Sequence, residues 1–220
     1  MPTYTYSCRA CGKTFDIQQG FTDNALTECP SCGGSLRKVF GAVVTQVSHG
    51  VSRDVVAVRE AVASDAENVA RTHVESWRET YSGVMDEHFF SEDALARRLG
   101  FWTRYLAMDP RPGRMVVALR DEDVIGFANA GDAVGPDAEK GFAPARSLHL
   151  FSIYLLAAAH GTGVGQTLLE SVLSHKPAQL WVLRDNERAI SFYRRNGFFP
   201  DGAEYIDPAN AKLVELRMVR

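Results

Sequence analysis

The stretch LHLFSIYLLAAAHGTGVGQ, residues 148–166, decides how the rest of the chain is read. Its first half, Leu148 to Leu156, is an apolar run broken by His149 and Ser152, the composition of a largely buried strand. Its second half, His160-Gly161-Thr162-Gly163-Val164-Gly165, is glycine-rich and opens a helical pattern that runs to about His175. A strand, a glycine turn and a helix in that order bring backbone N–H groups to the positive end of a helix dipole, where a phosphate can sit. Glycines alone are a weak signal, because a tight strand-to-helix turn needs them anyway. Two phosphate patterns are excluded. No Lys-Ser or Lys-Thr follows, as the G-x-x-x-x-G-K-[ST] loop requires, and the turn lies too late for a dinucleotide fingerprint built on an early βαβ unit.

Upstream, Val55 to Val58 reads as a short strand and Ser64-Asp65-Ala66-Glu67 opens a helix. Ser64 is placed to cap it, and Val69, Ala70, His73, Val74 and Trp77 recur at helical spacing. A second helix is expected from about Glu92 to Met108, ending before Pro110. Met115 to Leu119 and Val124 to Ala128 read as a hairpin turned at 120–123, and 135–144 as a loop rich in Gly, Pro and Ala. Downstream come a strand at Leu180 to Leu183, a helix from Glu187 to Asn196 closed by Gly197, and a last strand from Lys212 to Val219. This order predicts an α/β (α+β) fold, a mixed and mostly antiparallel sheet flanked by helices.

All four cysteines lie in the first 32 residues. The chain therefore divides into a module at 1–45, a linker at 46–54 with Ser48, Gly50 and Ser52 as breakers, and a domain at 55–220. Cys8-x2-Cys11 and Cys29-x2-Cys32 are two knuckles, each placing two thiols on one turn, and together they supply a tetrahedral sulfur set that suits Zn2+. Two disulfides are the alternative, which a chain without a secretion signal disfavours. The start, MPTYTYSC, has neither a basic nor an apolar leader region, and no apolar run approaches the roughly 18 residues of a membrane span. A cytoplasmic protein with no membrane partner is expected. A closed four-thiolate site keeps no position for water, so the zinc is read as structural, and its binding should fold the module.

Net charge is -3, and the first fifty residues set Arg9, Lys13, Arg37 and Lys38 against Asp16, Asp23 and Glu28. Neither part has the cationic excess that phosphate-backbone binding requires, so charge gives a nucleic-acid partner no support. With 45% apolar and 23% charged residues, the composition excludes disorder and fibrous repeats.

Residues 1 to about 40 resemble the FmdB-type zinc ribbon family through MPTYTYSCRACGKTFD, LTECPSCGG and the pair Arg37-Lys38. Residues 55–220 resemble the GNAT acetyltransferase superfamily through separated motifs in the right order. HLFSIYLL (149–156) and HGTGVG (160–165) look like its acetyl-CoA motif after the fourth strand. VLRDNERAISFYRRNGF (182–198) looks like its N-x-x-A-x-x-F/Y-Y-x-x-x-G-F block, and Arg59 to Tyr81 is similar to the first helix of many bacterial members. The resemblance implies acetyl-CoA as co-substrate and a primary amine as acceptor. In it, the strand end at Ile153, Tyr154 and Leu155 bonds the pantetheine arm. The amides of Gly161, Thr162, Gly163, Val164, Gly165 and Gln166 hold the pyrophosphate, with His160 at the first position of the turn. Asn186 contacts the cofactor near the thioester, and Tyr193 protonates the departing thiolate. Trp77 and Tyr81 face the acceptor groove, with core packing at i, i+4 the plainer alternative.

Two positions depart from the family pattern. His160 stands where Gln or Arg is usual, which removes a fixed positive charge. His149 stands where many members carry Glu, and it is either the base that takes the acceptor's proton or a core histidine with a satisfied hydrogen bond. Phe89, Phe90, Phe101, Trp102 and Tyr105 cluster around the second helix and should mostly be core, whereas Arg97, Arg98 and Arg104 read as a solvated face. The leading function is an acetyl-CoA-dependent N-acetyltransferase acting by direct attack, with no covalent enzyme intermediate because residues 51–220 hold no cysteine. The ribbon is read as a docking module for a protein partner or substrate. A regulatory protein that senses acyl-CoA without turnover is the alternative, and dimers are common in the family, which allows a homodimer.

Overall fold

The computed structural model describes residues 3–11, 13–18, 26–39, 56–83, 85–208 and 210–220. The chain forms two compact units, Met1–Thr45 and Gln46–Arg220. The linker expected at 46–54 lies outside the described residues, as does Val55.

In the first unit, β1 (Thr3–Cys8) sits between β2 (Thr14–Gln18) and β3 (Leu36–Val39), antiparallel to both. Tyr6 is fully buried and its hydroxyl accepts the Leu26 N–H at 3.2 Å. The two other fully or nearly buried side chains described in this unit are Cys8 and Cys29. A unit of this size depends on a staple such as its cysteines can supply.

The second unit is built on seven strands in the order β4-β5-β6-β7-β8-β10-β9. β4 (Val56–Glu60), β5 (Gly113–Arg120), β6 (Asp123–Asp132) and β7 (Leu148–Leu155) are antiparallel neighbours. β8 (Gln179–Leu183), β10 (Val214–Val219) and β9 (Phe199–Ile206) continue the sheet, also antiparallel to one another. β7 and β8 run parallel and are joined at one step, His149↔Gln179. Beyond it they diverge, and the sheet opens into a wedge.

The sheet is buried on both faces, so β5 and β6 read as continuous apolar runs sorted by period two. Met115 and Val117 point toward α1 (Ala66–Tyr81) and α2 (Glu92–Leu106), where Val69, Ala70, Trp102 and Leu106 meet them. Val116 and Ala118 point toward α4 (Val164–Leu173) and its Leu168 and Leu169. Tyr193, on α5 (Glu187–Arg195), belongs to the same face. The Thr72 hydroxyl donates to Val124 O at 2.6 Å and fixes α1 over β6. Among the described residues no helix is long and apolar enough to cross a membrane.

Three local expectations are corrected. Ser64 is not the cap of the first helix. A 3-10 turn at Ala63–Asp65 precedes α1, and the Asp65 carboxylate accepts from the Val62 N–H (2.8 Å) and from both Arg59 nitrogens (2.7 and 2.8 Å). A charged acceptor with a bidentate arginine prevails over a hydroxyl there. The loop expected at 135–144 begins with a short helix, α3 (Val134–Glu139), anchored by the fully buried Asp137. β9 has no counterpart among the expected strands; it carries Pro200 and Gly202, which a sheet edge tolerates because an edge residue needs no second partner.

Candidate active site and metal centre

The four cysteine sulfurs, Cys8, Cys11, Cys29 and Cys32, lie within 4.8 Å of one another. All four are free, so no disulfide competes for them. The N–H groups of Ala10 and Cys11 donate to Cys8 Sγ, both at 3.4 Å. The Cys11 N–H, with that of Ala10, holds the Cys8 thiol at about 6 against the opposing effect of burial, which favours the thiolate a metal needs. Gly34 keeps the cradle open: a Cβ there would stand 2.6 Å from Ala10 Cβ and 3.3 Å from the sulfurs of Cys8 and Cys32. Four converging thiols with N–H support fit zinc.

The wedge between β7 and β8 forms a cleft of about 740 Å3. The glycine turn forms part of its wall. Gly161 (φ +75°) and Gly163 (φ +90°) occupy left-handed backbone that a side chain resists, and Gly163 caps α4, so the first amides of the helix face the cleft. Ile153, Tyr154, Leu155, His160, Gly165, Gln166, Asn186 and Tyr193 line it. The side chains of Thr162 and Val164 are used elsewhere: the Thr162 hydroxyl donates to Ala159 O at 2.7 Å, and Val164 is buried in the core. Asn186 caps α5 by accepting the Ala189 N–H (3.0 Å) and donates to the Tyr81 hydroxyl at 3.0 Å. Tyr193 is buried and lines the cleft, and burial, with the Tyr154 and Tyr81 hydroxyls adding, pushes its phenol well above the ordinary range.

His160 has a companion that the sequence did not disclose. Its Nε2 bonds Leu155 O at 2.9 Å, and Arg188 Nη1 bonds its Nδ1 at 2.9 Å. Arg188 Nη2 also donates to Thr80 Oγ1 at 3.0 Å. A guanidinium on the cleft wall therefore stands beside the turn whose first residue lacks a fixed charge.

The cleft also has aromatic and acidic walls. Trp77 and Tyr81 line it, with Phe151, Trp181 and Tyr205. Its carboxylates are Asp207 and Glu215. Glu215 pairs with Lys140, whose ammonium lies 4.1 Å from the Tyr205 ring centre and 5.5 Å from that of Trp181.

His149 is not on this wall. It is 3% exposed, and its Nδ1 accepts from Gln179 Nε2 at 3.4 Å. Gln179 in turn donates to Asp137 and accepts the Arg146 N–H at 2.6 Å. Burial holds the imidazole down at about 4, with Lys140 adding and Asp137 opposing. Of the two readings of His149, this geometry is that of the core histidine with a satisfied hydrogen bond, away from the cleft wall. Burial likewise holds His73 at about 3, helped by Arg98. Unfolded, both rings titrate near 6.5, so the unfolded chain binds more protons at acid pH. Stability should therefore fall as pH drops from about 6.5 toward 4, and His149→Gln should lose part of that slope in urea midpoints.

The comparisons with known proteins agree with this geometry. The Zinc ribbon domain profile matches residues 1–40, and the Acetyltransferase (GNAT) family profile matches residues 71–198. A Bacillus subtilis protein described as an uncharacterized N-acetyltransferase, YuaI, is 30% identical over 152 residues, 64% of this chain and 78% of its own. The PaiA N-acetyltransferase of Thermoplasma acidophilum, solved with coenzyme A, covers 75% of this chain and 98% of its own with a TM-score of 0.56 and 20% identity. The yncA structure from Salmonella typhimurium, solved with acetyl-CoA, covers 75% of this chain and 92% of its own with a TM-score of 0.52 and 16% identity. These two likenesses carry the fold. With a profile spanning more than half of the chain, the chain belongs to the GNAT acetyltransferase family behind an N-terminal zinc ribbon.

Proposed function

We propose that the chain is an acetyl-CoA-dependent N-acetyltransferase that acts on a primary amine by direct attack. The observation that carries this is the cleft itself, whose walls combine the helix-N-terminal turn, a buried phenol, aromatic rings and the carboxylates of Asp207 and Glu215. Acetyl-CoA supplies the thioester whose C–S bond is broken. The amides of the glycine turn, with Arg188, receive the pyrophosphate. The edge of β7 freed by the wedge bonds the pantetheine arm. Glu215 takes one proton from the acceptor's ammonium, so that a neutral nitrogen attacks and the N–C bond forms. Tyr193 gives its proton to sulfur as the C–S bond breaks, and the second proton shed by the nitrogen restores the phenol. The zinc ribbon serves to dock a protein partner or substrate.

Titrating acetyl-CoA in a thermal-shift experiment tests the reading. At a hundred times Kd the ligand should stabilise the protein by about 2.7 kcal/mol, and release of CoA thiol with an amine panel should follow. A binding shift without thiol release would favour the sensor. Arg188→Ala should raise the Kd for acetyl-CoA by about tenfold to a hundredfold, the worth of a charge-assisted phosphate contact. An unchanged Kd removes Arg188 from the site.

A further inference from the structure

A second cavity of about 380 Å3 opens between α1, α2, β6 and β7. It shares Trp77, Phe151, Ser152 and Tyr154 with the cleft, so the two spaces meet across those residues. Its walls are mostly rings, among them Phe101 and Trp102. Its polar groups are unusual in kind. Trp102 Nε1 donates to His73 Nδ1 at 3.2 Å, so the neutral ring carries its proton on Nε2. That Nε2–H is buried and has no hydrogen-bond partner among the described residues, in a side chain 8% exposed. The Ser152 hydroxyl is buried and unpartnered in the same way. Arg98 was expected on a solvated face; the structure half-buries it on the cavity wall, its guanidinium 4.7 Å from the Trp77 ring centre. Stacking uses the face of the guanidinium and leaves its in-plane N–H groups available. No carboxylate lies within ion-pair distance of Arg98 among the described residues.

An arginine without a counter-charge, beside a histidine N–H and a hydroxyl that lack acceptors, is a donor set in want of an anion. We propose that this cavity takes the carboxylate of the acceptor, so that the substrate is an amino acid with an apolar body: amine in the cleft, carboxylate on Arg98, His73 and Ser152, and the body against Trp77 and Phe101. The proposal rests on reading the neighbouring cleft as the transfer site. Apolar walls without the arginine would suit any hydrophobic amine, and the cationic end restricts the choice.

The test uses the full-length, zinc-loaded protein and a panel of amino acids, each matched with its decarboxylated amine, phenylalanine with phenethylamine among them. The acid should exceed its amine in kcat/KM by about tenfold or more, the worth of one charge-assisted hydrogen bond. Arg98→Gln should bring the pair to parity through KM, and Arg98→Lys should keep part of the preference. Calorimetry with 3-phenylpropionate, which has the carboxylate and ring but no amine, should show binding that Arg98→Gln removes. Parity within the pairs of the unaltered protein, or 3-phenylpropionate binding indifferent to Arg98→Gln, overturns the inference and leaves the transferase reading standing. Carboxylate binding through Arg98 with no transfer to any amine keeps the site and overturns the transferase reading.

Discussion

Tyr193→Phe should give a folded protein that still shows the acetyl-CoA thermal shift but releases CoA about a hundredfold to ten-thousandfold more slowly, the usual contribution of a positioned general acid. The change removes one oxygen from a ring packed against Phe192 and Phe198, so volume and core contacts are nearly kept. What is lost is the proton. Burial and the neighbouring Tyr154 and Tyr81 hydroxyls hold the phenol protonated through neutral pH, which is the state an acid must start from. Single-turnover thiol release at saturating acceptor measures the step directly. A loss below about tenfold would take the proton source away from Tyr193 and leave water or another group in that role.

Cys29→Ser, or a strong chelator, should abolish zinc binding and unfold the first unit while the second keeps its melting transition. A unit of this size, Met1–Thr45, seldom holds a fold without a staple, and apparent zinc affinities of about 10–16 kcal/mol in comparable small domains are folding free energy. Cys29 is buried, its N–H donates to Gly34 O at 2.8 Å, and its carbonyl accepts the Gly33 N–H at 2.9 Å, so one substitution disturbs both the ligand set and the turn that presents it. Backbone amide spectra of residues 3–39 with and without zinc check this, with metal content read on the same samples. Amides that stay dispersed without zinc would show a ribbon that folds by itself.

How legible was this in the sequence? The cysteine knuckles and the glycine turn were, because each rests on a local demand: thiols at fixed spacing, backbone at positive φ. The 182–198 block was too, since a helix cap, an apolar face and Gly197 lie within one short segment. What escaped was set by contacts between distant segments. His149 and Gln179 are thirty positions apart, and only the fold reveals that they satisfy each other. Arg188 reaches His160 across a similar separation, and the lone His160 therefore looked like a lost charge. Arg98 and its neighbours Arg97 and Arg104 look alike in sequence; the ring of Trp77 makes Arg98 different. Strand β9 and helix α3 were hidden by proline and glycine, residues that forbid structure in the middle of a sheet or helix more strongly than at its edge or first turn.

The single His149↔Gln179 step gives the sheet a seam. On one side lies a leaf of four strands and on the other a leaf of three, each laced by ladders of several residue pairs. Across the seam there is one rung, reinforced by the amide of Gln179 bridging His149, Asp137 and Arg146. Force or heat should part the leaves there first. A molecule that bonds the exposed edge of β7 while packing against β8 then acts as a keystone, and amides flanking the seam should slow their exchange with solvent more than those at the outer strands when it binds.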